Sequence, residues 1–113
     1  MNNSNALFEW VAAFPGSVTV CDLAGVIMAM NDAAIRAYGD GLVGKNALDC
    51  HPGQSHEKFA DLLQNQRVNV YTTEKNGVHK LIYQCPWQHA GQYAGLLEIV
   101  VEIPAELPHF IRQ

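Results

Sequence analysis

The chain has 113 residues, of which 49% are hydrophobic and 16% charged, with a formal net charge of −4. This length gives one domain with its own core and excludes a two-domain enzyme or a TIM barrel. The seven Lys and Arg residues are scattered rather than clustered, so no nucleic-acid partner is expected. The three cysteines form no CxxC pair, which excludes a zinc ribbon. Without a signal peptide or an apolar run of about 18 residues, we expect a cytoplasmic protein with no membrane contact.

The first third of the chain predicts a helix and then a β-hairpin. Proline and glycine at positions 15 and 16 end the helix, whose apolar face recurs at helical spacing and consists of Leu7, Trp10, Val11 and Phe14. Residues 17–22 and 26–30 are rich in β-branched and apolar side chains and predict two strands. Asn31 is a good N-cap for a second helix over residues 32–38, which Gly39 ends.

The remainder predicts a short helix and three strands. Ser55 is the expected N-cap of that helix, and residues 47–53 before it form an irregular segment or a single turn. Strands are predicted over residues 67–74, 79–85 and 93–103. Asn76-Gly77 between the first two is typical of a type I′ hairpin turn, which pairs Lys75 with Val78.

This order predicts an α+β domain with a five-stranded antiparallel sheet, short helices on one face and an N-terminal capping helix. The predicted divisions are residues 1–15 for the helix, 16–103 for the domain and 104–113 for a C-terminal tail. The turn register places on one face a mostly apolar set, expected to meet the helices: Val68, Val70, Thr72, Leu81, Tyr83 and Cys85. Glu98 and Glu102 are expected to point outward, with Glu102 beside Lys80. The outer face would keep an apolar strip, covered by the first helix: Tyr71, Ile82 and Val100.

Several motifs in sequence order resemble the first half of a PAS domain. They are Asp22-x-x-Gly25, Asn31 after a strand, Tyr38-Gly39 and the run Leu42-Val43-Gly44-Lys45. Three strands ending in Gly95-Leu96-Leu97-Glu98-Ile99 resemble the PAS β-meander, so that the resemblance covers residues 16–103. The stretch from Asn69 to Gly77, with Tyr83-Gln84-Cys85-Pro86-Trp87, is similar to short stand-alone bacterial PAS proteins. The resemblance implies a sensory or interaction module whose sheet and helices can enclose a small ligand.

On this basis we expect a signal-transduction domain that binds a small ligand in an inner cavity, with no catalytic residues and no metal site. The residues expected to line the cavity are Met28, Tyr38, His51, Phe59, Tyr83 and Cys85. His51 would supply one of the few polar groups of a mainly apolar pocket. A small α+β enzyme is an alternative, and it would need an acid or base inside the cavity.

The cofactor is not identified by the sequence. Some PAS domains hold haem by a helix histidine, but Pro52-Gly53 after His51 favours a loop, so the ligand is expected not to be haem. Light-sensing PAS domains use Gly-x-Asn-Cys to bind flavin, and the matching Gly44-Lys45-Asn46-Ala47 lacks the thiol. Flavin photochemistry is therefore not expected.

We predict signalling through association, with a homodimer and a further signalling protein as partners. The predicted dimer interface is the apolar helix face of Leu7, Trp10, Val11 and Phe14, which is too apolar to remain in water. A ligand-free homodimerisation module is the second hypothesis.

Overall fold

Five antiparallel strands form one sheet in the computed structural model, which describes residues 9–50 and 53–113. The strands are β1 (Ser17–Asp22), β2 (Ile27–Met30), β3 (Asn69–Lys75), β4 (Val78–His89) and β5 (Gln92–Ile103), in the order β2-β1-β5-β4-β3. Between β2 and β3 lie helix α1 (Asp32–Tyr38), a 3₁₀ turn (Ala47–Cys50) and helix α2 (Gln54–Asn65). The predicted α+β fold is confirmed. Residues 9–13 are helical, residues 14 and 15 are not, and the part of the predicted first helix before residue 9, including Leu7, lies outside the described residues.

Local hydrogen bonds explain the β1–β2 hairpin. The Asp22 carboxylate accepts from the backbone N–H groups of Ala24 and Val26, both at 2.9 Å, which fixes the turn that the Asp-x-x-Gly motif predicts. Gly25 follows with a φ of 89°, a conformation that glycine adopts without a steric penalty.

Asn31 joins the sheet to α1. Its Oδ1 accepts from the N–H of Ala34 at 3.0 Å, the predicted N-cap bond, and from the N–H of Val18 at 2.9 Å. Its Nδ2 donates to the carbonyl oxygens of Val11 and Gly16 at 3.0 and 2.9 Å. One buried amide therefore holds α1, β1 and the segment before β1 in place.

The start of α2 differs from the prediction. The helix begins at Gln54 after Gly53, whose φ is 61°, and no side chain caps it; the prediction that Ser55 is the N-cap is wrong. Glycine at this position turns the chain by its own backbone freedom, so a side-chain cap is not needed to start the helix.

The strand register is the predicted one, but the predicted orientation of the sheet is wrong. Thr72 pairs with Leu81, Val70 with Tyr83 and Lys80 with Glu102, as expected. The face that meets the helices, here called the helix-covered face, holds Ser17, Thr19, Cys21, Tyr71, Lys80, Ile82, Gln84, Leu96, Glu98, Val100 and Glu102. Ile82, Gln84 and Leu96 on it are buried, and Cys21 and Leu96 pack against Leu62 and Leu63 of α2.

The opposite, open face carries the apolar residues that were expected to face the helices. It holds Val18, Val20, Val70, Leu81, Tyr83, Cys85, Ile99 and Val101, of which Val70 and Tyr83 are 48% and 42% exposed. A sheet normally turns its more apolar face toward its own helices. Here the helix-covered face holds polar side chains as well, among them Thr19, Gln84 and Glu98.

Within the described residues, no helix has the length and apolar character needed to cross a membrane.

Candidate functional site

A cavity of about 430 Å³ lies between the helix-covered face, α1, α2 and the loop that follows α1. Its wall is mostly apolar and includes Ile27 and Met30 of β2, Leu42 of the loop, Phe59 of α2 and Leu96 of β5. The polar atoms come from Thr19, Tyr38, Gln84 and Glu98. Ligand pockets of proteins have this size and this composition, a largely apolar wall with a few placed polar groups.

The polar groups form one row across the sheet. The register places Thr19 of β1 opposite Glu98 of β5, Glu98 opposite Gln84 of β4, and Gln84 opposite Asn69 of β3. Asn69 Nδ2 donates to Gln84 Oε1 at 2.8 Å, and Gln84 Nε2 donates to Glu98 Oε2 at 2.8 Å. These bonds fix the orientation of the Gln84 amide, which is 8% exposed, and of one oxygen of Glu98.

Two hydroxyl groups lie at the Glu98 end of the row. The Thr19 Oγ1 atom is buried and has no hydrogen-bond partner among the described residues. The pKa of the Tyr38 hydroxyl is raised by burial first and then by the nearby charge of Glu98. Buried polar atoms are normally paired, and an unpaired one in a cavity wall is available to a ligand.

The cavity also holds a buried thiol. Cys21 is 4% exposed, and burial raises the pKa of its thiol, which keeps the group protonated and unreactive. It acts here as a small apolar wall residue.

A smaller cleft of about 260 Å³ adjoins the cavity on the β3 side and shares Phe59, Gln84 and Glu98 with it. Lys58 and Tyr71 line this cleft but do not line the cavity. Burial raises the pKa of the Tyr71 hydroxyl, and the charge of Glu98 adds to the shift. The Glu98 side chain therefore lines both the cavity and the adjoining cleft.

The structure brings some of the predicted site residues together and separates others. Tyr38 and Phe59 line the cavity. Met28 is 50% exposed, and the neighbouring Met30 lines the cavity instead. Tyr83 and Cys85 lie on the open face, because the sheet is oriented opposite to the prediction. His51 lies outside the described residues.

Sequence reasoning missed Thr19, Gln84 and Glu98. Glu98 was expected on a solvated outer face, and the structure turns it toward the cavity. A signal for this row was present, since the correctly predicted register already aligns Asn69 with Gln84 and Gln84 with Glu98. Three hydrogen-bonding side chains in one row across adjacent strands indicate a polar network rather than a solvated surface.

The described residues offer neither the flavin-binding cysteine nor a metal-binding cluster. Ala47, at the place where flavin-binding PAS domains have their cysteine, is 6% exposed and lines the cavity. Over residues 9–50 and 53–113 there is no group of three or more His, Cys, Asp or Glu side chains that could hold a metal ion. The described part of the cavity wall contains no histidine, and His51, predicted as a polar group of the cavity and not as a haem ligand, lies outside the described residues.

The predicted dimer-interface residues are exposed where the structure describes them. Trp10 is 76% exposed, Val11 41% and Phe14 39%. A side chain added at Gly16 would contact both Phe14 and Val101 of the open face. Phe14 also lines a groove with Tyr71, Ile82 and Val100 of the helix-covered face, so it adjoins both faces of the sheet.

Comparison with known proteins supports the fold. No protein-family model and no curated protein matches the sequence. Among solved structures, a C-terminal domain from Streptococcus mutans is 20% identical, with 90% of this chain and 89% of that chain covered at a TM-score of 0.72. The PAS domain of an HTR-like protein from Haloarcula marismortui is 15% identical, with coverages of 88% and 91% and a TM-score of 0.66. The Aer2 receptor of Vibrio cholerae, described as a dual PAS-heme oxygen sensor, is 14% identical, with coverages of 78% and 94% and a TM-score of 0.59. The chain has the PAS-domain fold, as the motifs predicted.

Proposed function

We propose that this chain is a sensory domain that binds a small, mostly apolar molecule in its inner cavity and passes the signal on through protein association. The cavity wall supports this: it is apolar except for one row of oriented polar groups that includes Gln84 and Glu98. A fold that only had to be stable would gain more from apolar residues at these buried positions than from a polar network. The PAS fold alone does not establish a ligand, so the proposal depends on this wall.

The position of the cavity suggests how binding would be transmitted. Its wall combines side chains from the sheet, from α1 through Tyr38, from α2 through Phe59 and from the connecting loop through Leu42. A bound molecule would touch all four at once and stabilise the arrangement in which they fit it. Binding would then shift the population of packings between helices and sheet, and with it the surfaces offered to partners. The proposal includes no catalytic step.

The test is to fill the cavity. Leu42 is half-buried in the wall, whereas its neighbour Val43 is 52% exposed and does not line the cavity. We expect a fragment library screened by ligand-observed NMR to give ligands for the wild type and for Val43→Trp, and their signals to disappear in Leu42→Trp. Native electrospray mass spectrometry of the purified chain should show the bound masses in the same two proteins. If the same fragments bind Leu42→Trp and the wild type equally, the cavity is not the binding site and the proposal fails.

A ligand-free homodimerisation module is the second candidate. The observation that favours it is the open face, where exposed Val70 on the edge strand β3 and exposed Tyr83 on the neighbouring β4 lie beside further apolar side chains. We propose a second copy of the chain as the occupant, because the open face is uncharged at its centre and adjoins the exposed Phe14. An isologous pair would bury this surface on both copies at once.

Haem remains the third candidate, since one structural neighbour is described as a haem sensor. The described wall offers Met30 as its one thioether and no imidazole. We keep the prediction that the ligand is not haem, and a Soret band that disappears in His51→Ala would contradict it.

A further inference from the structure

We infer that the cavity selects a small molecule that joins an apolar body to a protonated amine, and that Glu98 is the residue that selects it. This inference rests on the ligand-binding function proposed above and adds the chemical class of the ligand.

The direction of the hydrogen bonds in the polar row is the first argument. Asn69 donates to Gln84, and Gln84 donates to Glu98, so the row ends on an acceptor. A carboxylate can accept about four hydrogen bonds, and Gln84 supplies one of them. A ligand that approaches Glu98 in the cavity must therefore bring a donor, which a carboxylate or a carbonyl group does not have.

Charge is the second argument. Glu98 carries the only formal charge among the described residues that line the cavity. In the described part of the chain, Arg67 Nε lies 3.6 Å from Asp61 Oδ2 and His79 Nε2 lies 3.6 Å from Glu74 Oε1, and neither contact includes Glu98. A half-buried carboxylate in an apolar wall is stabilised by a cation and repels an anion. Lys58 lines the adjoining cleft, but its side chain is exposed to solvent, so it leaves the cavity side of Glu98 available.

The arrangement of oxygen atoms is the third argument. The Thr19 hydroxyl is buried without a described partner on the strand next to Glu98. The Tyr38 hydroxyl interacts with Ser17 and with Glu98, to which it can donate its proton while its oxygen still accepts. These three side chains place oxygen acceptors at one end of the cavity, and an ammonium group has three N–H donors to offer them. The remaining wall, with Ile27, Met30, Phe59 and Leu96, is suited to an apolar or aromatic body.

Three probes with the same indole body and different end groups test the inference. Isothermal titration of the full chain with tryptamine, tryptophol and 3-indolepropionate compares an amine, an alcohol and a carboxylate. We expect tryptamine to bind at least about tenfold more tightly than 3-indolepropionate, because the anion would face Glu98. Equal affinities, or tighter binding of the carboxylate, would overturn the inference, as would the absence of binding by all three probes.

Substitution of Glu98 distinguishes the contribution of the amine contact to the affinity from the contribution of the indole ring. In Glu98→Gln we expect tryptamine affinity to fall at least about tenfold while tryptophol affinity stays within about twofold, since only the charged hydrogen bond is lost. Glu102→Gln is the matched control: Glu102 lies on the same strand and face, lines an outer groove rather than the cavity, and should change neither affinity. If Glu98→Gln does not fold by circular dichroism, Thr19→Val removes a neighbouring acceptor and should still weaken tryptamine more than tryptophol.

The outcome is distinguishable from failure of the proposed function. If fragments bind the cavity and lose binding in Leu42→Trp, but tryptamine has no advantage or Glu98→Gln has no effect, the sensory function stands and the amine class is wrong. If every fragment binds Leu42→Trp as well as it binds the wild type, both the proposed ligand-binding function and the amine inference fail.

Discussion

The single side chain of Asn31 connects three separate segments of the chain. Its two side-chain atoms contact the backbone of α1, of β1 and of the segment before β1, and the residue is 5% exposed. In the segment before β1, Phe14 also lies near Val101 and lines a groove with Ala33 and Ala37 of α1. Asn31 therefore affects both the corner beside the cavity and the position of the exposed Trp10.

Substitution of Asn31 by Ala should lower the free energy of unfolding by at least about 2 kcal/mol. The change removes the N-cap bond to Ala34 and leaves the N–H of Val18 and the carbonyl of Gly16 without their side-chain partner. Urea unfolding followed by circular dichroism measures the loss. Asn65→Ala is the control, because Asn65 makes one exposed hydrogen bond, to Asp61, and should cost less than about 0.5 kcal/mol. Equal losses for the two variants would show that Asn31 is an ordinary surface cap.

At the scale of the element, the β3–β4 hairpin depends on its two-residue turn. Asn76 and Gly77 have φ values of 53° and 79°, the pattern of the predicted type I′ turn. A side chain at Gly77 would meet no atom within 4 Å. Glycine is therefore favoured here because of its positive φ and not because a side chain would clash.

We expect Gly77→Val to destabilise the domain by about 1–3 kcal/mol, because a β-branched residue resists a positive φ. Thermal unfolding would measure this as a lower melting temperature. Gly77→Asn is the matched comparison: Asn tolerates the left-handed conformation and should lose clearly less stability. A melting temperature of Gly77→Val equal to that of the wild type would mean that the turn tolerates another conformation.

The same hairpin shows what the sequence could predict and what it could not. The turn determines the register by local chemistry, so the pairing of Val70 with Tyr83 and the alignment of Lys80 with Glu102 could be predicted. The choice of the face that meets the helices is not local. It was predicted from the rule that apolar residues are turned inward, and this rule fails here because the inner face carries the polar row of Asn69, Gln84 and Glu98.

The candidate site was predictable to a similar extent. Tyr38 and Phe59 follow from the helix positions, which are local, and both line the cavity. Whether Thr19, Gln84 and Glu98 line the cavity depends on which face of the sheet meets the helices. Because that face was predicted wrongly, Tyr83 and Cys85 were predicted in their place. When a site is formed by several strands, a wrong prediction of which sheet face meets the helices misplaces every strand residue of the site.

At the scale of the whole molecule, we propose ligand binding at the helix-covered face of the sheet and association at the open face. The helix-covered face holds the cavity, and the open face lies behind it on the same strands, so Gln84 in the cavity wall is adjacent in sequence to Tyr83 and Cys85 on the outside. A change of strand position caused by a ligand would reach the open face without an intermediate element. This geometry connects the proposed binding to the proposed association.

We predict that the chain forms a homodimer through the open face and the adjoining N-terminal segment, because their apolar side chains gain more free energy when covered than when hydrated. Multi-angle light scattering at high concentration should give twice the mass of the chain. Tyr83→Glu and Trp10→Glu each place a charge in this surface and should shift the species to a monomer without loss of folding. Val43→Glu is the control, since Val43 is also exposed, at 52%, but lies in the loop on the opposite side of the sheet from Tyr83 and should leave the dimer intact. A monomeric wild type would refute the prediction, whereas dissociation by Trp10→Glu alone would restrict the interface to the N-terminal helix.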